Sequence, residues 1–243
     1  MSIEKLTQII KNSNNIVFFG GAGVSTESNI PDFRSGDGLY NIVDNHKYSP
    51  EEMLSHSFFY SHTKDFYNFY RDKMIYPEAK PNQAHIALAK LEEMGKLKAV
   101  ITQNIDSLHQ SAGSKNVFEL HGSVYRNYCD RCHTFYPLDV IMHSKDIPLC
   151  SHDGAIIKPD VVLYEEGLND EIVNNAIDFI SKADVLIIGG TSLVVYPAAS
   201  LIRYFRGSHL VLINKASTQY DKSADIVINA SIGTVLGIVI SNL

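Results

Sequence analysis

The feature that most constrains this chain is a glycine-rich stretch directly after a short apolar run near the N-terminus. Residues 16–19 read Ile, Val, Phe and Phe, a pattern typical of a buried strand. Gly20, Gly21 and Gly23 follow, so the chain can turn sharply and present backbone N–H groups to a ligand. Pyrophosphates bind at turns of this kind, and the stretch therefore predicts a dinucleotide site.

The same glycines also fit a plain strand-to-helix turn, because glycine is common at such connections. A dehydrogenase fingerprint would add a third glycine and, about twenty residues later, an acid for the ribose. Thr26 stands at the third glycine position, and the chain runs on into Asp32, Phe33 and Arg34. This acid, aromatic ring and guanidinium favour a nucleotide site over a plain turn and disfavour hydride transfer.

Two later strand candidates end in residues suited to chemistry. The apolar run 99–101 leads into the polar segment 102–106, and the run 117–120 leads into His121. Ligands of open α/β sheets gather beyond the carboxyl ends of the strands, although Asn and Asp in such a segment could equally cap a helix. An imidazole at a strand end can act as a general base near neutral pH. We therefore predict that both strand ends face the nucleotide.

Apolar runs and helix-like segments alternate through the rest of the chain. Strands are predicted at 185–188, 210–213 and 226–228, with a helix over 197–205 and another closing the chain. Alternation of this kind predicts a parallel sheet covered on both faces, that is, an α/β fold with a Rossmann-like, doubly wound sheet.

Residues 40–76 hold many Tyr, Phe and His residues among charged ones. Aromatic residues at helical spacing usually form a core, so we predict an inserted helical module rather than a binding surface. Ser49 and Ser57 are its candidate N-caps. Its predicted buried side consists of Phe58, Phe59, Phe66, Phe69 and Tyr70.

The cysteines indicate a small metal-binding insertion. Cys129 and Cys132, then 17 residues, then Cys150 nearly match the paired C-x-x-C spacing of a structural zinc ribbon. The fourth cysteine is missing: Asp153 occupies its position, and His152 is adjacent. Either side chain can bind Zn²⁺, while the alternative is a degenerate ribbon held by packing alone. We predict a structural zinc site, because it lies outside the loops that carry the nucleotide residues.

Composition excludes several classes of function. A net charge of −6 argues against direct binding of nucleic acid, which requires a basic surface. The N-terminus shows no secretory signal, and three cysteines do not indicate a disulfide framework. Residues 183–202 are nearly uncharged, but Gly189, Gly190 and Pro197 interrupt them, so a membrane span is not predicted. We expect a cytoplasmic protein without a membrane partner.

Several separated motifs resemble those of the sirtuins, the NAD-dependent protein-lysine deacylases, and specifically the bacterial type. The matching motifs occur in family order and cover nearly the whole chain: GAGVSTESNIPDFR at 21–34, TQNIDSLHQSAG at 102–113, ELHGS at 119–123, IKPDVVLYEE at 157–166, GGTSLVVYPAA at 189–199 and LIN at 212–214. We accordingly expect a discontinuous Rossmann-like NAD-binding domain at 1–35, 78–122 and 158–243, a helical module at 36–77 and a zinc-ribbon domain at 123–157.

The resemblance implies an NAD-dependent deacetylase in which the acetyl-lysine oxygen attacks the nicotinamide ribose and O-acetyl-ADP-ribose is formed. It implies that His121 and Asn104 are catalytic. The implied NAD contacts are Ala22, Gly23, Thr26, Asp32, Phe33, Arg34, Gln103, Asn104, Ile105, Asp106, His121, Gly190, Thr191, Ser192, Asn214 and Ile232. Those for the acetyl-lysine protein or peptide are Val162, Tyr164 and Val194, and the implied zinc ligands are Cys129, Cys132, Cys150 and Asp153 or His152.

Two departures from the family pattern concern the substrate. Relatives usually have F-F-G-E where this chain has residues 163–166, so Glu165 replaces a glycine beside the peptide. Relatives that remove acidic acyl groups carry Tyr-x-x-Arg, whereas Tyr67 is followed three residues later by Tyr70, with Arg71 one position out of register. Without that guanidinium, acetyl or another neutral short acyl group is favoured. The alternatives are a protein ADP-ribosyltransferase using the same NAD site and a non-catalytic NAD-sensing module.

Overall fold

The computed structural model describes residues 2–33, 38 and 48–243. Its helices are α1 Ser2–Asn12, α2 Pro50–Met53, α3 His56–Ser61, α4 Thr63–Lys73, α5 Gln83–Glu93, α6 Leu108–Ser111, α7 Leu138–His143, α8 Asp170–Lys182 and α9 Ile232–Ser241. Its strands are β1 Ile16–Gly20, β2 Leu97–Thr102, β3 Val117–Glu119, β4 Gly122–Cys129, β5 Phe135–Pro137, β6 Ile157–Val161, β7 Val185–Gly189, β8 His209–Ile213 and β9 Ile226–Ile228. Short 3₁₀ turns occupy Ala22–Val24, Thr26–Ser28, Ala198–Tyr204 and Asp221–Ser223.

Six strands form one parallel sheet in the order β3-β2-β1-β7-β8-β9. Counted within the sheet, this order is 3-2-1-4-5-6, the doubly wound arrangement, so the predicted fold class is confirmed. The strand order reverses between β1 and β7. Loops that leave neighbouring strands in opposite directions open a crevice at that point, which is where ligands bind in such sheets.

Alternate side chains of each strand enter two separate cores. Ile16 and Phe18 of β1 belong to the core beneath α1, α5 and α9, while Val17 and Phe19 belong to the core beneath α8 and the turn Ala198–Tyr204. All of β1 is buried. A strand buried on both faces reads as an uninterrupted apolar run, which is why this strand was predictable from sequence.

A second sheet, with strand order β5-β4-β6, contains the cysteine segment. It shares a third apolar core with the helices α2, α3 and α4. The five aromatic residues predicted for the buried side of the helical module are all buried, as expected. Tyr67 is buried with them, and its hydroxyl donates to the carbonyl oxygen of Ile157 on β6. The domain boundaries given above remain a prediction.

Helix ends differ from the sequence prediction in one case. Ser49 caps α2 by accepting from the backbone N–H of Glu52, as predicted. Ser57 caps nothing, because Ser55 accepts from the N–H of Phe58 and begins α3. A serine one position before the first helical residue has the geometry of an N-cap, and the predicted residue lies inside the first turn.

Two other elements departed from expectation. The segment predicted as a helix over 197–205 is the 3₁₀ turn Ala198–Tyr204, and helix α8 was not assigned from the sequence. Asn169 caps α8 by accepting from the N–H of Ile172, and Ala176 and Ile180 are its buried residues. Within the ranges 2–33 and 48–243, no helix has the length and apolar character needed to span a membrane.

Candidate active site

A cleft of about 1030 Å³ lies at the carboxyl ends of the parallel strands. Its walls come from the segments after β1, β2, β3, β7 and β8, from the end of β6 and from the start of α9. Chain segments far apart in sequence therefore meet where the strand order reverses. The cleft is the only place in the described chain where the predicted nucleotide and acyl-lysine residues come together.

The glycine loops on the two sides of the crevice pack backbone against backbone. The N–H of Gly23 donates to the carbonyl oxygen of Gly190 at 2.8 Å. A Cβ at Gly23 would lie 2.8 Å from Gly190 Cα, and a Cβ at Gly190, where φ is +59°, would lie 2.3 Å from the nitrogen of Val24. The close approach of the two loops therefore by itself requires glycine at both positions.

Ser25 organises the polar floor of the cleft. Its hydroxyl donates to Asp106 Oδ2 at 2.6 Å and accepts from Asn104 Nδ2 at 3.0 Å. The other carboxylate oxygen of Asp106 accepts from the N–H of Leu108. Burial raises the pKa of Asp106 above its ordinary value, and the hydrogen bond from Ser25 opposes that rise. Ser25 was not among the residues predicted for the site.

His121 lies on the same floor of the cleft, where one nitrogen of its ring has a hydrogen-bond partner. Its Nδ1 is 2.9 Å from the carbonyl oxygen of Gln103. A carbonyl can only accept, so Nδ1 carries the proton and Nε2 carries the lone pair that a base needs. Burial lowers the pKa of His121, while the bond to Gln103 opposes this. The ring is therefore neutral, and able to accept a proton, at neutral pH.

The remaining predicted nucleotide residues that the structure describes line the same cleft. Thr191 and Asn214 bind one another, with the N–H of Thr191 donating to Asn214 Oδ1 at 3.1 Å and Asn214 Nδ2 donating back to the Thr191 carbonyl at 2.6 Å. Arg34 lies outside the described residues. The other wall residues of this set are Ala22, Thr26, Asp32, Phe33, Gln103, Ile105, Ser192 and Ile232.

Two of the three predicted peptide contacts line the cleft. The N–H of Val162 donates to the carbonyl oxygen of His121 at 3.0 Å, and Tyr164 is half-exposed at the rim. Val194 is 49% exposed and is not among the residues of the cleft wall, whereas its neighbour Val195 is, so the contact of Val194 with a peptide stays a prediction. Leu193, at φ +56° and fully buried, alternates with Val194 and turns it outward.

Glu165 occupies a backbone conformation that favours glycine, with φ at +75°. Its carboxylate accepts from the N–H and the hydroxyl of Ser57 at 2.8 and 2.9 Å, at the beginning of α3. Glu166 accepts from Lys158 and pairs with His56. These contacts fasten residues 163–166, called the peptide-side segment from its predicted role, to α3 and compensate for the unfavourable backbone conformation.

A Sir2 family model matches residues 21–197 of this chain. The chain belongs to the Sir2 family. A Clostridium perfringens protein named NAD-dependent protein deacetylase is 70% identical to it, and the aligned region covers 98% of each chain. Among solved structures, a Sir2 complex with a deacetylated p53 peptide and 3′-O-acetyl ADP ribose is similar at a TM-score of 0.90 and 40% identity, covering 100% of this chain and 98% of the other. A Sir2Tm complex with a propionylated peptide has a TM-score of 0.87 at 40% identity, with coverage of 100% and 98%.

The cysteine cluster of this Sir2 family member has the geometry of a metal site. Ligand atoms of Cys129, Cys132, Cys150 and Asp153 all lie within 4.8 Å of one another. The Sγ atoms of Cys132 and Cys150 are 3.6 Å apart, close to the ~3.8 Å between two sulfurs on one tetrahedral zinc. Backbone N–H groups of Arg131 and Cys132 point at Cys129 Sγ, which suits a thiolate.

Asp153, and not His152, completes this cluster in the part of the chain that the structure describes. Its Oδ1 lies 3.4 Å from Cys129 Sγ, whereas His152 is exposed and outside the group. The local backbone orients the Asp153 carboxylate toward the cluster. Gly154, at φ +69°, closes a turn in which the N–H of Ala155 donates to Asp153 Oδ1. The residues present therefore fit a tetrahedral metal with three sulfur ligands and one oxygen ligand.

Proposed function

We propose that this chain is an NAD-dependent protein-lysine deacetylase that releases nicotinamide and O-acetyl-ADP-ribose. The observation that carries the proposal is His121, whose Nε2 is left basic by the bond from Nδ1 to Gln103 within the cleft. Membership of a family whose relatives are named NAD-dependent protein deacetylases supports the same conclusion.

The proposed roles of the NAD residues come from the family resemblance, and the geometry of the cleft supports them. Bound NAD supplies an activated ribose carbon and a nicotinamide leaving group. Asn104 and Asp106 are fixed by Ser25, so their polar atoms are oriented before the substrate arrives and reorganise little during reaction. We assign them to the ribose and carboxamide. Phe33 covers the reacting centre and excludes water, and His121 Nε2 accepts a proton relayed from the ribose hydroxyls.

The adenosine half is assigned to the other side of the crevice. Thr191, Ser192, Asn214 and Ile232 line that wall, and the paired hydrogen bonds of Thr191 and Asn214 fix its shape. Ala22, Gly23, Thr26 and Asp32 face the intervening space, where the pyrophosphate would meet the backbone of the glycine loop. Arg34 and Gly190 complete the proposed set.

The acyl-lysine side of the cleft is apolar. Phe33, Val162, Leu163 and Val195 contribute to it. Arg71, the arginine nearest to the acidic-acyl motif, does not line the cleft. Its Nε donates to the carbonyl oxygen of Ile141 at 2.8 Å, and its guanidinium lies over the ring of Tyr67. No guanidinium among the described lining residues faces the cleft, so an acidic acyl group would find no bidentate partner. Acetyl and similar neutral short acyl groups are the expected substrates.

Mass spectrometry of the purified protein with NAD and acyl-lysine peptides tests this function. With an acetyl peptide we expect nicotinamide, deacetylated peptide and O-acetyl-ADP-ribose in equal amounts. The same peptide carrying a succinyl group should react at least ~10-fold more slowly, because its carboxylate would be buried unpaired. ADP-ribosylated protein with free nicotinamide would instead indicate a transferase, and no turnover of NAD with any acyl peptide would indicate a binding module.

We further propose that the cysteine cluster binds one structural Zn²⁺ through Cys129, Cys132, Cys150 and Asp153. The metal would join the turn after β4 to the turn before β6 and so stabilise the small sheet. It lies outside the cleft walls and takes no part in the reaction. A cytoplasmic location and the absence of a nucleic-acid partner rest on sequence and charge alone.

Asp153 variants should change the retention of zinc. We expect one zinc per chain by elemental analysis, and at least ~10-fold faster transfer of zinc from Asp153→Ala to a colorimetric chelator. Asp153→Cys should hold the metal more tightly than the wild-type chain, because a thiolate is the more usual ligand. His152→Ala is the matched control. Faster release from His152→Ala, with normal release from Asp153→Ala, would assign the fourth ligand to His152.

A further inference from the structure

Arg126 of β4 connects three segments that border the cleft. Its Nε donates to Asp160 Oδ2 at 2.7 Å, and its Nη1 donates to Glu119 Oε2 at 2.6 Å. Glu119 ends β3 two residues before His121, and Asp160 lies on β6 two residues before Val162. One guanidinium therefore joins the strand that leads to His121 to the strand that leads to the peptide-side segment.

The position of Arg126 in the sheet explains the need for this contact. Strands β4 and β6 pair at Gly122 with Val161 and at Asn127 with Pro159, and the ladder is irregular between these pairs. The backbone ladder is thus interrupted where both strands run from the cleft into the small sheet. The bond between Arg126 and Asp160 crosses this interval through side chains.

The contact with Glu119 extends to the floor of the cleft. The second carboxylate oxygen of Glu119 accepts from the hydroxyl of Ser107 at 2.9 Å, and that hydroxyl is 2.8 Å from the hydroxyl of Ser123. Ser107 directly follows Asp106 and has a φ of +53°. A non-glycine residue keeps this conformation only where its surroundings hold it. Glu119 therefore fixes the end of the segment that carries Asn104 and Asp106.

Of the two acids bound by Arg126, Glu119 is the one that depends on it. The side chain of Glu119 is 6% exposed, whereas that of Asp160 is 42% exposed and can be solvated without a partner. A buried carboxylate that loses its counter-charge is left uncompensated and moves toward solvent, which disturbs its hydrogen bond to Ser107. Loss of Arg126 is therefore transmitted to the cleft through Glu119.

We propose that Arg126 is a positioning residue, which acts through Glu119 and Ser107 to hold Asp106 and His121 in one arrangement. This inference rests on the proposed function only for its kinetic consequence. The adenosine wall keeps its own paired hydrogen bonds between Thr191 and Asn214. It meets the floor of the cleft through Gln103, whose Nε2 donates to Thr191 Oγ1 at 3.1 Å, and this contact does not involve Arg126 or Glu119. Removing Arg126 should therefore slow the chemical step and leave binding of the ADP-ribose portion nearly unchanged.

The test compares Arg126→Met with Arg71→Met. Arg71 is a matched control because it is also a partly buried arginine, with hydrogen bonds to Ile141 and Ser144 at the end of α7, away from the cleft. For Arg126→Met we expect kcat to fall ~10- to 100-fold while the Kd for ADP-ribose, by calorimetry, changes less than ~3-fold. Hydrogen exchange should accelerate in peptides covering 103–108 and 119–124, and Arg71→Met should show neither effect.

A second substitution isolates the route through Glu119. Adding Glu119→Gln to Arg126→Met removes the uncompensated charge and keeps an oxygen for Ser107, so the exchange protection of 103–108 should return in part. Unchanged exchange and kcat in Arg126→Met, equal losses in Arg71→Met, or no recovery with Glu119→Gln would each overturn the proposal. Should Arg126→Met not fold, Arg126→Lys carries the same test, because its ammonium reaches one carboxylate at a time. The exchange measurement needs no turnover, so it separates this inference from a failure of the proposed activity.

Discussion

His121→Ala should lower the rate of deacetylation by ~10²- to 10⁴-fold, the usual contribution of a positioned base, with NAD binding largely retained. The reason is the arrangement of the ring: Nδ1 is committed to the Gln103 carbonyl, so Nε2 is the basic nitrogen. His121→Asn is the sharper variant, because its side-chain amide can still donate to Gln103 while lacking a basic nitrogen. We expect both variants to be inactive and His121→Asn to bind NAD like the wild-type chain.

The pH profile provides an independent check on the same residue. Burial lowers the pKa of His121, so the neutral ring persists below the usual range for histidine. The loss of activity on acidification, as Nε2 takes up a proton, should therefore have its midpoint below the ordinary histidine value of about 6.5. Turnover that is unaffected by either substitution would remove His121 from the mechanism.

Acid should destabilise this protein through two buried imidazoles. The rings of His85 on α5 and His109 on α6 are 4.7 Å apart and almost fully buried. Among the described residues, neither nitrogen of His109 has a hydrogen-bond partner, nor has Nε2 of His85. Burial lowers the pKa of His85 to about 4, and burial together with the neighbouring ring lowers that of His109 to about 3.

Both folded-state pKa values lie below the unfolded value near 6.5, so the unfolded chain binds more protons between about pH 3 and 6.5. The stabilising contribution is complete above pH 6.5 and is lost as the pH falls. At pH 4.5 the loss is about 2.7 kcal/mol per ring at 1.36 kcal/mol per pH unit, or about 5 kcal/mol for the pair. This is a large part of the stability of an ordinary domain.

Urea denaturation between pH 7.5 and 4.5 measures this effect. His109→Leu should reduce the loss of unfolding free energy over that interval by about half, because one of the two rings no longer titrates. His109 has no hydrogen bond to lose, and the leucine joins the apolar surroundings of Phe18. His143→Asn, at an exposed position, is the control for loss of an imidazole. An equal acid loss in wild type and His109→Leu would mean that other groups cause it.

The sequence was most informative where one physical requirement dominates. The buried strands of the parallel sheet are continuous apolar runs, so β1, β7 and β8 were predicted to within two residues at each end. Gly23 and Gly190 lie where two backbones nearly touch, and only glycine fits there. His121 was identifiable because it follows a strand and precedes a glycine.

The parts that escaped prediction depend on distant partners. Ser25 is one polar residue among several in its loop, and its importance appears only when Asn104 and Asp106 lie beside it. Arg126 and Glu119 are ordinary charged residues in sequence, and the fold makes them neighbours. The left-handed conformation of Leu193, which leaves Val194 exposed, was not readable from the local pattern either.

The third apolar core has a consequence for how the molecule unfolds. Helices α3 and α4 and the cysteine sheet come from separate stretches of the chain, yet Phe59, Tyr67, Cys129 and Ile157 share one interior. Segments with a common interior lose their order together, as a single cooperative unit. Damage at the cysteine cluster would therefore spread to the helices that hold Glu165 and the rim of the cleft, so loss of the proposed metal would weaken substrate binding without any contact between the two sites.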